Sequence, residues 1–317
     1  MTYANRPITG REYKLMLRTS KFEERDKGIK DFLDIIKSQI EILNLKEGKG
    51  GGEQVYFDKK YKNNDNGEKK RRVWYLDTQN FELHKKNKFL IRIRKEKDDD
   101  YVTDLKCRNS DRYVSASYDL SPNIKEKEEK SKTEFEFEED IIPRVDSTNS
   151  KSPEFASKFS HSVSVHTKKE LKLNTVGDLL SVFPGLNVLN IDIDTELQKV
   201  NNFEAKEISF KLGVIKFLDK NDTTDDLSLS FWYLPDEDNK EIPEIVEFSF
   251  DYYTKEVNKA NRSKGKLYLE EFPLSLVRKT NDFYLALLKE QEFVDLNTAK
   301  TKTDFAYTYK LHSYYLH

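Results

Sequence analysis

The feature that most constrains this chain is strand-like alternation in which charged or hydroxylated residues share one face and apolar residues the other. In residues 11–17, Glu12 and Lys14 oppose Tyr13, Leu15 and Leu17; in 89–94, Arg92 and Arg94 oppose Phe89, Ile91 and Ile93. Asp104, Lys106 and Arg108 oppose Leu105 and Cys107, and Glu134, Glu136 and Glu138 oppose Phe135 and Phe137. The pattern recurs with Glu207, Ser209 and Lys211 against Ile208, Phe210 and Leu212, and with Ser228 and Ser230 against Leu227, Leu229 and Phe231. It ends with Glu247, Ser249 and Asp251 against Val246, Phe248 and Phe250. A period of two puts each set on one side of a pleated strand. Repetition along one chain predicts a mostly β, α+β fold built on an antiparallel sheet or barrel.

Two segments carry helical periodicity: residues 28–43, with Phe32, Ile36, Ile40 and Leu43 in register, and 276–291, with Leu276, Phe283, Leu287 and Leu288 on a stripe. A shorter helix is expected after Thr175, with Asp178 in the capping-box position. These stripes need the apolar strand faces to pack on. Polar stretches at 48–52, 59–72, 121–132 and 145–158 read as mobile connections. With no internal repeat and no break between two cores, residues 1–317 are expected to form one domain, with an insertion of unknown role around 144–205.

Composition narrows the function classes. The 55 Lys+Arg nearly cancel 57 Asp+Glu, and the net charge of −2 lacks the basic excess that nonspecific nucleic-acid or membrane binding needs. Aromatic residues at 12% argue against a disordered chain. Cys107 is the sole cysteine, which excludes an intrachain disulfide and a cysteine zinc cage. The pair His161 and His166 has the wrong spacing for one helix turn and reads as a surface segment. The N-terminus does not resemble a signal peptide, and no stretch reaches the length of a membrane span, so a cytoplasmic setting is expected.

The signs of the inward charges are sorted by strand. Arg92 with Arg94, and Lys106 with Arg108, are cationic pairs; Glu134, Glu136 and Glu138 form an anionic run. Like charges on one face repel, so such rows need opposite charges or a ligand across from them. Arginine and lysine rows hold phosphate oxygens through charge-assisted hydrogen bonds. Carboxylate clusters bind Mg²⁺ or Mn²⁺. Opposed acidic and basic walls therefore suit a metal–polyphosphate complex.

These residues carry a resemblance to the CYTH, or triphosphate tunnel metalloenzyme, superfamily. Residues 11–17 resemble its E-x-E-x-K strand, and 75–94 resemble its Y-x-D-T stretch leading to paired arginines. Residues 102–108 resemble the T-x-L-K strand, 132–138 the E-x-E strand, 245–250 the late E-x-E strand and 298–307 the C-terminal lysine segment, all in family order. The resemblance implies an eight-stranded antiparallel β-barrel tunnel with flanking helices, dependent on Mg²⁺ or Mn²⁺. By the same token Glu12, Glu134, Glu136 and Glu247 would be metal ligands, and Lys14, Arg92, Arg94 and Lys106 would act on the phosphates. Arg108, Lys211 and Lys302 would bind substrate.

The sequence departs from the family pattern where Gly10 and Ser249 stand in place of glutamates, and where Ser228 and Ser230 occupy a strand that commonly carries an acid. Glu138, Asp104 and Asp251 alternate inward and are candidates to compensate. Three readings stay open. One is metal-dependent hydrolysis of a triphosphate, whether tripolyphosphate, a nucleoside or organic triphosphate, or an RNA 5′-triphosphate end. Another is polyphosphate or nucleotide binding without turnover. The last is nucleotide cyclisation.

Overall fold

The structure, a computed structural model, describes residues 7–46, 55–61, 68–97, 100–124, 132–144, 154–217, 224, 226–234, 242–253, 272, 274–297 and 301–313. Ten strands form one sheet: β1 (Gly10–Leu17), β2 (Val55–Lys59), β3 (Lys69–Asp77), β4 (Phe89–Lys95), β5 (Tyr101–Asn109), β6 (Lys132–Arg144), β7 (Glu154–Thr167), β8 (Gln198–Phe217), β9 (Leu227–Tyr233) and β10 (Ile245–Tyr253). Their spatial order is β2-β8-β3-β4-β5-β7-β6-β1-β10-β9, and a further β8–β9 pairing closes nine of them into a barrel. β2 stays outside, paired to the far half of β8. Gly213 makes that branch possible: it sits at a register shift with φ +156°, and a Cβ there would lie 2.3 Å from the Asp58 carbonyl of β2.

The expected count of eight antiparallel strands is corrected to nine, with one parallel junction between β6 and β1. The two departures have one cause, since an odd number of strands cannot alternate direction all the way round a closed ring. β7 comes from the stretch read as an insertion and inserts between β5 and β6. That stretch, 144–205, also carries α4 (Val176–Val182) and the start of β8. The surface reading of His161 and His166 is overturned for His161, which is fully buried on β7 against Phe137. The polar connections turn out to include strand residues in β2, β3, β6 and β7; residues 60–61, 68 and 121–124 are described outside strands, and 48–52, 62–67, 125–131 and 145–153 lie outside the described residues.

The other described helices are α1 (Arg25–Lys46), α2 (Glu82–Lys85), α3 (Arg112–Ala116), α5 (Leu274–Leu287) and α6 (Lys302–Ser313). None is long and apolar enough to cross a membrane. The Thr175–Asp178 capping box forms as expected, with Thr175 Oγ1 accepting from Asp178 N and the Asp178 carboxylate accepting from Thr175 N.

The apolar strand faces point outward and are covered. One core sets Tyr13, Leu15, Phe231 and Phe248 against Phe32 and Ile36 of α1 and Phe283 and Leu287 of α5. A second sets Phe89, Ile91, Leu105 and Val163 against Leu179 and Phe183 around α4. Cys107 lies in that second core, where burial pushes its thiol up to about 12. A third cluster plugs one end of the barrel: Met16, Val73, Tyr75, Leu90 and Trp232 meet Phe305, Ala306 and Tyr307 of α6.

The plug is anchored by the Y-x-D-T stretch. Asp77 is fully buried and accepts from the backbone N–H groups of Thr78, Leu83 and His84, which caps α2, while Tyr307 Oη donates to it at 2.9 Å. Replacing the carboxylate strands several buried donors at once. Asp77→Ala is expected to lower the unfolding free energy in urea by about 3 kcal/mol, and Tyr307→Phe by about 1 kcal/mol.

Candidate functional site

Because helices cover the outside, the charged strand faces line a cavity of about 480 Å³ that is open to solvent at its rim. Its wall is largely sorted by strand, with Lys14 on β1 and Asp104 on β5 as exceptions. Neighbouring β3, β4 and β5 contribute Lys69, Arg71, Arg92, Arg94, Lys106 and Arg108; on the far side β6, β1 and β10 contribute Glu134, Glu136, Glu138, Glu12, Glu247 and Asp251. Hydroxyl seams separate the two walls. β7 supplies Ser162 and Ser164 along one seam. Along the other, Ser209 faces Ser230 across β8 and β9, and Ser228 faces Ser249 across β9 and β10. Along β1 the inward residues run Glu12, Lys14, Met16, and on β9 Ser228, Ser230, Trp232, so polarity falls toward the plug.

The cations are already partly neutralised. Asp104 accepts from Arg92 Nε and from an Arg94 terminal nitrogen, both at 2.8 Å, and from Ser164 at 2.6 Å. Burial alone would raise the Asp104 carboxyl, but the two guanidiniums outweigh it and hold it far below its ordinary value. One carboxylate cannot balance two guanidiniums. Arg94 Nε is buried without a hydrogen-bond partner among the described residues, and burial lowers that guanidinium despite Asp104. This corner carries a surplus of positive charge directed at the cavity.

Deeper in the barrel, Lys14 Nζ bridges Asp140 at 2.7 Å and Glu12 at 2.6 Å, and Arg108 Nε lies 2.9 Å from Asp140. Ser160 Oγ also donates to Asp140. Burial opposes ionisation of Asp140, yet Arg108 and Lys14 drive its carboxyl well down. Near the plug, Lys302 reaches Glu207 at 3.1 Å and Glu247 at 3.0 Å, while Arg71 and Trp232 Nε1 also bind Glu207. Lys302 opens α6, so this cation enters from a helix rather than a strand.

Glu12, Glu138 and Asp140 can each bring one carboxylate oxygen within 4.8 Å of the others. Glu138 is the least neutralised: Lys106 Nζ stands 3.8 Å away, and burial together with Glu136 holds its carboxyl well above the ordinary range. Glu138 and Asp140 are buried and Glu12 is half-buried; Lys14 bridges Glu12 and Asp140, and the all-oxygen group with Glu138 under-compensated fits a hard divalent cation such as Mg²⁺ or Mn²⁺.

All eleven residues singled out in the sequence line this one cavity: Lys14, Arg92, Arg94, Lys106, Arg108, Lys211, Lys302, Glu12, Glu134, Glu136 and Glu247. Within it they separate. Only Glu12 of the four expected metal ligands falls in the tight acidic group; Glu134 pairs with Lys132 and lies 3.4 Å from His166, and Glu247 pairs with Lys302. Lys211 is 64% exposed at the rim on Asp226. Sequence reasoning missed Arg71, Asp140 and Tyr253 as lining or neighbouring groups. Asp140 continues the alternation of Glu134, Glu136 and Glu138, a signal that was present in the chain. Arg71 sits in a Lys/Arg-rich run that reads as a connection until its pairing with β8 is seen.

No family model and no curated protein matches the chain. Among solved structures, it is similar to a candidate adenylyl cyclase from Hippeastrum described as having a dominant triphosphatase activity. The identity is 12%, with 94% of this chain and 95% of that one covered at a TM-score of 0.38. It is also similar to a candidate adenylate cyclase from Bacillus halodurans at 12% identity, with 84% and 98% covered and a TM-score of 0.30.

Breaking the Asp104 pair tests the electrostatic account. Asp104→Asn is expected to cost about 3 kcal/mol at neutral pH because it leaves two facing guanidiniums uncompensated. The folded Asp104 carboxyl lies below its ordinary 3.8, so its stabilisation is present above that pH and is lost as pH falls further. Denaturant titrations should therefore show the gap between wild type and variant narrowing below pH 3.8.

Proposed function

We propose that this chain is a metal-dependent phosphohydrolase that cleaves a phosphoanhydride bond of a linear triphosphate inside the barrel. The observation that carries the reading is the sorted cavity wall, with guanidinium and ammonium groups on β3, β4 and β5 facing carboxylates on β6, β1 and β10. A triphosphate presents several anionic oxygens in a row and matches the surplus cations at Arg92, Arg94 and Lys106. Arg92 and Arg94 would clamp phosphate oxygens as bidentate forks, and Lys106 would lie between that anion and the acidic group. Glu12, Glu138 and Asp140 would hold Mg²⁺ or Mn²⁺, which when bound supplies charge neutralisation and lowers the pKa of a coordinated water. The serine seams would accept from or donate to either partner without adding charge. The setting we propose is the cytoplasm, where the lone thiol Cys107 stays reduced.

A second reading, polyphosphate or nucleotide binding without turnover, has one observation in its favour. Ammonium groups already sit on two of the four carboxylates that the resemblance implies as ligands, Lys14 on Glu12 and Lys302 on Glu247. Cyclisation gains no comparable support from the lining, in which Leu90 is the aliphatic residue beside Tyr75, Phe210 and Tyr253. The readings separate in one experiment: phosphate release from tripolyphosphate, ATP and thiamine triphosphate, with Mg²⁺ or Mn²⁺. Hydrolysis should be abolished by EDTA and reduced by Glu138→Gln. Arg94→Ala should lower kcat about 100-fold. Tight tripolyphosphate binding with no phosphate release, unchanged by EDTA, would leave the binding reading standing instead.

A further inference from the structure

Gly10 occupies a position where the resemblance implies a carboxylate, and the structure supplies a physical reason for the glycine. Gly10 lies on β1 between two neighbours, opposite Tyr253 of β10 on one side and Glu138 of β6 on the other. A Cβ at position 10 would stand 2.7 Å from Tyr253 Cε1 and 2.8 Å from its Cδ1, closer than carbon atoms approach. The missing side chain is thus a slot, and the Tyr253 ring fills it.

Adjacent strands lie about 4.8 Å apart, so residues two strands apart are separated by roughly 10 Å. Side chains at that distance meet only when they are long and the position between them carries little bulk, as at the β7 serines beneath Arg108 and Asp140. Through the Gly10 slot the Tyr253 hydroxyl reaches Glu138 Oε1 at 3.0 Å while remaining 2.8 Å from Asp251 Oδ2 on its own strand. A glutamate at position 10 would displace this ring and add a carboxylate beside Glu12, Glu138 and Asp140, increasing their mutual repulsion. The phenol supplies a neutral O–H donor instead.

We propose that Tyr253 is a positioning residue for the divalent-cation site at Glu12, Glu138 and Asp140, an inference that rests on the metal-dependent reading above. Its single O–H is shared between Glu138 Oε1 and Asp251 Oδ2, and the contact with Glu138 fixes the plane of that carboxylate. The other oxygen, Oε2, is left on the side of Lys106 and the cavity. Donors that orient a ligating carboxylate typically contribute 10–100-fold in metal affinity. Gly10 participates through the space it leaves.

The test is Mn²⁺ binding by the full chain, read from the electron paramagnetic resonance signal of free Mn²⁺, so it does not depend on turnover. Tyr253→Phe keeps the ring in the slot and removes only the O–H; it should weaken Mn²⁺ binding by about 10-fold or more. Its thermal midpoint should fall by no more than that of Tyr307→Phe, and its tripolyphosphate affinity in EDTA should match wild type. Gly10→Ala pushes the ring out of the slot and should weaken Mn²⁺ binding to a similar degree. Unchanged Mn²⁺ affinity in Tyr253→Phe would overturn the proposal. A parallel loss of tripolyphosphate affinity in EDTA would also overturn it, because the phenol would then be contacting the anion. Wild-type protein that binds no Mn²⁺ would overturn the metal-dependent reading itself, and this inference with it.

Discussion

The structure depends on neutralising charge in a space withdrawn from bulk water. The barrel is polar within and apolar without, the reverse of a barrel filled by its own hydrophobic core, because α1, α4 and α5 claim the apolar strand faces. The inward charges away from the rim, such as Asp104, Asp140 and Glu207, therefore lose hydration, at several kilocalories per mole for an unpaired ion. Asp104, Asp140 and Glu207 relieve that cost by each holding two or more cationic or hydroxyl donors. Remove one of them and the cations it serves are left facing one another.

The same pairing explains why the cavity is poised for an anion. The carboxylates are shared, so neutralisation is incomplete on the basic wall, most clearly where Arg92 and Arg94 divide Asp104. On the acidic wall the imbalance has the opposite sign, at Glu138 beside Glu136. The serine-bearing strands lie between these walls, and the direct contacts that cross β7, Arg108 with Asp140 and Lys106 with Glu138, neutralise only part of the charge. A ligand carrying both a chain of negative oxygens and a divalent cation would satisfy both imbalances at once. The α6 plug contributes Lys302 and fills the end where inward side chains turn apolar, and Asp77 and Tyr307 hold it there.

Much of this was legible in the chain. Period-two alternation located β1, β4, β5, β6, β8, β9 and β10, and helical stripes located α1 and α5. Besides the short β2, the strands that escaped were those whose polar composition resembles a connection. β3 opens with Lys69, Lys70, Arg71 and Arg72, and β7 is rich in serine and emerges from a Ser/Asn/Lys tract. Both are strands because partners on each side satisfy their backbones, β8 and β4 for β3, and β5 and β6 for β7. The helical start of α6 at Lys302 was equally hidden, since its apolar residues pack into the barrel end rather than along a sheet face.

The sequence by itself determined which residues face inward and the sign of charge that each strand presents, because both follow from a two-residue repeat that is local. Tertiary structure decided which charges meet. Lys14 with Asp140, Lys302 with Glu247 and Tyr253 with Glu138 are joined across long separations in the chain. Their contacts depend on barrel closure and on the register of β1 between β6 and β10, including its one parallel junction. Gly10 shows the division most plainly. In the chain it is an absent carboxylate; in the folded barrel it is the gap through which a phenol from the next strand reaches the acidic group.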